Sequence, residues 1–122
     1  MKALYNTIAA MTVAVAALVA PLAQAHATLK SSNPAAGATV DAAPKEIALT
    51  FNEKVEQAFS NITVADGAGK EVVTEKARVD EANPAILRLT VPSLSAGTYT
   101  VTWAVAGHDG HRRKGDFKFT VK

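Results

Sequence analysis

Cysteine is absent from all 122 residues, and the only methionines are Met1 and Met11. The first absence excludes disulfides and thiolate chemistry. With methionine confined to the start, the rest of the chain offers no sulfur ligand, so a soft metal site of thiolates or thioethers is excluded as well. A domain without disulfides must rely on its core. Aromatics are few, with one Trp, two Tyr and four Phe, and none are interleaved with the basic run Arg112-Arg113-Lys114, which argues against nucleic-acid binding. That run reads as a solvated loop adding positive potential. The formal net charge is only +2, so no strong electrostatic partner is implied. Beyond the first residues there is no useful helical period, internal repeat or low-complexity tract.

The chain opens with Lys2, continues through an apolar run over residues 8–22 and reaches Ala23-Gln24-Ala25. A charged start, a hydrophobic middle and a small-x-small box form the pattern of a secretory signal peptide. The apolar run is shorter than the roughly 20 residues of a membrane span. Cleavage is expected after Ala25. Removing 25 of the 122 residues leaves 97, one small domain over residues 26–122. Because Lys2 leaves with the signal, the mature net charge falls to about +1.

What remains reads as short strands. Ile47, Leu49 and Phe51 alternate with Glu46, Ala48 and Thr50, and Leu87, Leu89 and Val91 alternate with Arg88 and Thr90. Residues 27–32 suggest a first edge strand, closed by Asn33-Pro34 and Gly37. A hairpin is expected where residues 61–65 meet the turn signal Asp66-Gly67-Ala68-Gly69 and alternation resumes over residues 71–79. The strongest hairpin pairs Tyr99, Val101, Trp103 and Val105 with Phe117, Phe119 and Val121 across a polar tip. About seven strands with turns at intervals of roughly 8 to 12 residues imply an all-β fold, a small antiparallel Greek-key β-sandwich. Trp103 is then a core residue, and Tyr99, after Ala96-Gly97-Thr98, resembles a tyrosine corner.

The tip carries His108, Asp109 and His111. In extended backbone Asp109 and His111 point the same way, and His108 faces away as a solvent-exposed residue. The third histidine, His26, becomes residue one after cleavage. An N-terminal histidine chelates a metal through both its free amine and its ring Nδ1. With Asp109 and His111, the set is three nitrogens and one oxygen, which among divalent first-row ions favours Cu(II) over zinc. The bland alternative is an ordinary polar turn with solvated histidines.

Several segments together resemble the CopC family of periplasmic copper-binding and copper-resistance proteins. They are the start His26-Ala-Thr-Leu-Lys-Ser-Ser-Asn-Pro-Ala-Ala-Gly-Ala38, the run Ile47-Ala-Leu-Thr-Phe-Asn-Glu53, the segment Leu94-Ser-Ala-Gly-Thr-Tyr-Thr-Val-Thr-Trp103, and Asp109-Gly-His111 with Gly115, Phe117 and Phe119. The resemblance implies an immunoglobulin-like or cupredoxin-like sandwich that binds one Cu(II) through His26, Asp109 and His111, with Glu53 as an acidic residue close to the ion. It implies a periplasmic, monomeric copper carrier or buffer, not an enzyme, with a partner in an inner-membrane copper transporter of the CopD type. The methionine-rich Cu(I) loop of some members has no counterpart here. Two other classes compete: a copper oxidase using a histidine brace, disfavoured by small size and few surface aromatics, and a metal-free adhesion or assembly sandwich.

Overall fold

The computed structural model describes residues 27–122; the expected signal segment and His26 lie outside the described residues. Eight strands form, against the roughly seven expected: β1 (Leu29–Asn33), β2 (Thr39–Val40), β3 (Glu46–Phe51), β4 (Asn61–Ala65), β5 (Arg78–Val79), β6 (Ile86–Thr90), β7 (Gly97–Ala106) and β8 (Arg112–Val121). A 3-10 turn, Gln57–Phe59, precedes β4. The strands build two four-stranded sheets with orders β1-β3-β6-β5 and β2-β8-β7-β4. Ile47, Leu49, Phe51, Leu87 and Leu89 from the first sheet and Ile62, Val64, Val101, Val105 and Phe119 from the second join one buried cluster. Each such side chain contributes on the order of 1.5–3 kcal/mol by leaving water. The all-β sandwich expected from the pattern is therefore present.

Trp103 is 8% exposed and stands edge-on to Phe51 across the two sheets, with ring centroids 5.3 Å apart at 70°. Its strand partner is Gly115, where a Cβ would lie 2.6 Å from Trp103 Cζ2. A side chain there would take the space of the indole. The Tyr99 hydroxyl donates to the Ser95 carbonyl at 2.7 Å, which makes the expected corner.

Three expectations change. The sheet of β2, β8, β7 and β4 is mixed, because β2 runs parallel to β8. Gly37 N donates to Lys118 O at 2.7 Å and Lys122 N to Val40 O at 3.0 Å, so this short segment covers an edge that would otherwise be open. The turn after β4 forms, with Asp66 Oδ1 accepting from Ala68 N and Lys70 N, both at 2.9 Å. Its returning arm, however, is one bridge, Ala65 to Glu71, not a strand over residues 71–79. Only Val73 and Ala77 of that stretch are buried, while Glu75 between them, on what would be the same face, is exposed, and the chain crosses to pair β5 with β6 in the other sheet. Lastly, Arg112, Arg113 and Lys114 belong to β8, because the hairpin ladder continues as far as Ala106 opposite Arg112. They are exposed strand residues, not a loop.

Charges close the outer face of the first sheet. Glu46 binds Arg78 at 3.0 Å and Arg88 at 2.7 Å, and Arg88 Nε binds Asp80 at 2.8 Å. The hydrogen bond from Arg88, with backbone donors from Asn83 and Ala82, holds the Asp80 carboxyl below the usual aspartate range.

Candidate metal centre

Residues 107–111 join β7 to β8 at one end of the sandwich. Gly107 N donates to His111 O at 3.1 Å and Gly110 N to Gly107 O at 3.0 Å. Gly110 has φ +83°, a left-handed conformation that glycine adopts without steric cost. The tip is therefore a tight turn, and the extended alternation expected for Asp109 and His111 does not apply. The two side chains meet for another reason. Asp109 Oδ1 accepts from His111 N at 3.0 Å, and Asp109 Oδ2 lies 2.7 Å from His111 Nδ1.

This geometry selects a tautomer. An ionised carboxylate only accepts hydrogen bonds, so in the neutral ring Nδ1 carries the proton and Nε2 is left with its lone pair. A carboxylate at one ring nitrogen orients an imidazole and raises the basicity of the other.

Glu53 comes to the same loop from the end of β3. Its carboxylate packs against Gly107, where any Cβ would overlap Glu53 Oε1 and lie 3.5 Å from Asp109 Oδ1. Glycine at this position lets the two carboxylates flank one backbone. A bridge between Val55 and Gly107 ties the segment after β3 to the loop. The start of the described chain is fastened to the same corner: Thr28 N donates to Asn52 Oδ1 at 2.7 Å, and Asn52 N to Thr28 O at 3.0 Å. Ala27 is fully buried.

The structure thus brings Asp109, His111 and Glu53 to one loop corner, with Thr28 held against the residue before Glu53. His26, expected to supply two donors, lies outside the described residues. Among the described residues no group of three or more His, Cys, Asp or Glu side chains forms a metal cluster. The groups that do meet are an imidazole and carboxylates, with no sulfur among them. His108 is exposed, as expected, and lines a notch of about 410 Å³ with Glu56, Phe59 and Arg112. Phe59 and Ser60, which also pack or bond at the loop base, were not singled out by the sequence. They fall where β alternation lapses, and only the exposed position of an aromatic could have drawn notice.

A family model described as the CopC domain matches residues 29–122. The chain is 40% identical over 116 residues to protein YobA of Escherichia coli strain K12, covering 93% of this chain and 92% of the relative. It is 39% identical over 111 residues to copper resistance protein C of Pseudomonas syringae pv. tomato, covering 86% and 87%. The crystal structure of CopC from Methylosinus trichosporium OB3b superposes with a TM-score of 0.76 at 38% identity, covering 80% of this chain and 94% of that one. With a family model spanning both sheets and the loop, and with relatives this similar over nearly their whole length, the chain belongs to the CopC family.

Proposed function

We propose that this protein is a periplasmic Cu(II) carrier or buffer, exported by cleavage after Ala25 and binding one Cu(II) per chain through the amine and ring of His26, Asp109 and His111. The observation that carries this reading is the Asp109–His111 contact at 2.7 Å, the arrangement in which a carboxylate on one ring nitrogen supports a metal-binding imidazole. Family membership supports copper as the cargo. The relative from Pseudomonas syringae is itself named a copper resistance protein. His111 binds through Nε2. In the metal-free form Asp109 orients that ring through Nδ1; to bind the ion held at Nε2 it gives up that contact, because the two ring nitrogens face opposite sides of the imidazole. Glu53, across Gly107 from Asp109, adds negative charge beside the cation.

The function then rests on affinity and exchange, not on turnover, so no enzyme is required. Binding weakens in acid, because the amine and both imidazoles must lose their protons to bind. A membrane copper transporter of the CopD type is the natural recipient or donor. The test is a Cu(II) titration of protein beginning at His26, read by electron paramagnetic resonance. One tight tetragonal nitrogen-rich site is expected, weakened by orders of magnitude when one residue is added before His26 or in His111→Ala. Unchanged affinity in the extended form would reject the amine chelate.

A further inference from the structure

The regular ladder between β4 and β7 ends at Asn61 opposite Ala104, two residues short of the loop. Ala106, only 2% exposed, still has both backbone groups satisfied on that side. Its N–H donates to Ser60 Oγ at 3.2 Å, and its carbonyl accepts from Glu56 N at 2.9 Å. The turn that supplies these partners is itself closed by Phe59 N donating to Glu56 O at 3.1 Å and Ser60 N to Gln57 O at 3.3 Å.

The same turn projects Phe59, which is 59% exposed and the one large hydrophobic side chain so exposed among the described residues. The guanidinium carbon of Arg112 lies 5.8 Å from the centre of its ring. Arg112 is the first residue of β8, pairs with Ala106 and follows His111 in the chain. The turn therefore grips the loop at both feet: Ala106 through Ser60 and Glu56, Arg112 through Phe59.

We infer that the turn at residues 56–60 is a clasp that positions His111 for metal binding, with Phe59, Arg112 and Ser60 as positioning residues that need not touch the ion. The inference deepens the copper reading and rests on it. His111 is held from two directions. Asp109 fixes its N–H and its ring, while Arg112, anchored over Phe59, fixes the peptide that follows. Loosening the second anchor lets the loop open more often, which raises the rate at which the ion leaves and exposes the His111 amide to solvent.

The experiment compares Phe59→Ala, Arg112→Ala, the double variant, and Phe59→Tyr as a conservative rescue that keeps the ring. Hydrogen exchange of the His111 amide is measured in the metal-free protein, and Cu(II) dissociation is measured by chelator competition. Urea unfolding separates loop effects from global stability. Each alanine variant is expected to raise both rates about twofold to fivefold, the ratio an exposed cation–π contact supports. The double variant should match the single ones, because both remove the same contact, and Phe59→Tyr should restore native rates. Unchanged exchange at His111 in Phe59→Ala, or effects that add in the double variant, would overturn the clasp. Failure of the copper reading looks different: His111→Ala then leaves Cu(II) binding unaltered, whatever the exchange rates do.

Discussion

Asp109→Asn is the change that most directly probes the loop chemistry. The asparagine is nearly the same size, and its amide oxygen can go on accepting from His111 N, which it now does at 3.0 Å. The second terminal atom then becomes an NH2 group facing His111 Nδ1, where an accepting oxygen stood at 2.7 Å. Two donors cannot share that contact, so the ring proton moves to Nε2, the atom left for metal. A hydrogen bond to a charged group contributes roughly 1.5–3 kcal/mol. Here the side chains are 60% and 33% exposed, and solvent screening reduces this to about 1 kcal/mol, near a fivefold change in tautomer ratio. Loss of the carboxylate behind a ligating histidine costs a further tenfold to hundredfold in metal affinity, on the order seen for such partners. Long-range nitrogen–proton NMR of His111 in the metal-free protein, at a pH where the ring is neutral, reads the tautomer. Chelator competition reads the affinity. If Nε2 stays unprotonated in the variant, or Cu(II) affinity does not fall, the orienting role assigned to Asp109 is refuted.

Gly115→Ala places a Cβ 2.6 Å from Trp103 Cζ2 and 2.9 Å from Cε2, against a buried ring braced by Phe51, so it should destabilise by about 1–3 kcal/mol; urea unfolding followed by fluorescence of the single Trp checks it. Tyr99→Phe removes the 2.7 Å bond to Ser95 O and should cost about 1 kcal/mol in the same assay without affecting Cu(II) binding. The Asp80 carboxyl, held low by Arg88, makes stability depend on pH. Its folded value lies below its unfolded one, so its contribution is present above the usual aspartate range and is lost as the pH falls through the folded value. The gap in unfolding midpoint between the native chain and Asp80→Asn should therefore be open at neutral pH and close in acid.

Strand content was readable because both sheets are buried on one face. Ile47, Leu49 and Phe51 had to alternate, and the structure follows that pattern residue by residue. The stretch after Gly69 misled for the same reason in reverse. Val72, Val73 and Val79 are β-prone, but they serve a crossing between sheets, where burial is set by packing and not by a pleat. β2 could not be read at all, since two residues carry no period and its parallel pairing with β8 depends on the route taken by the segment after Gly37.

At the loop, residue chemistry was legible and geometry was not. The residue types His26, Asp109 and His111, with no sulfur after Met11, restrict the ligand set to nitrogen and oxygen. Alternation assigned Asp109 and His111 to one side for a reason that does not hold in a turn.

By itself, then, the sequence determined the all-β class, the core residues, the exclusion of soft-metal chemistry and the candidate donors, because these follow from residue type and short-range period. Only the tertiary structure decided that Glu53 and Asp109 lie on either side of Gly107, that Asp109 Oδ2 lies 2.7 Å from His111 Nδ1, and that Ser60 bonds Ala106 N and Phe59 faces Arg112 at the loop base. Those contacts join residues distant in sequence or depend on a left-handed glycine at Gly110, and neither leaves a periodic mark in the chain.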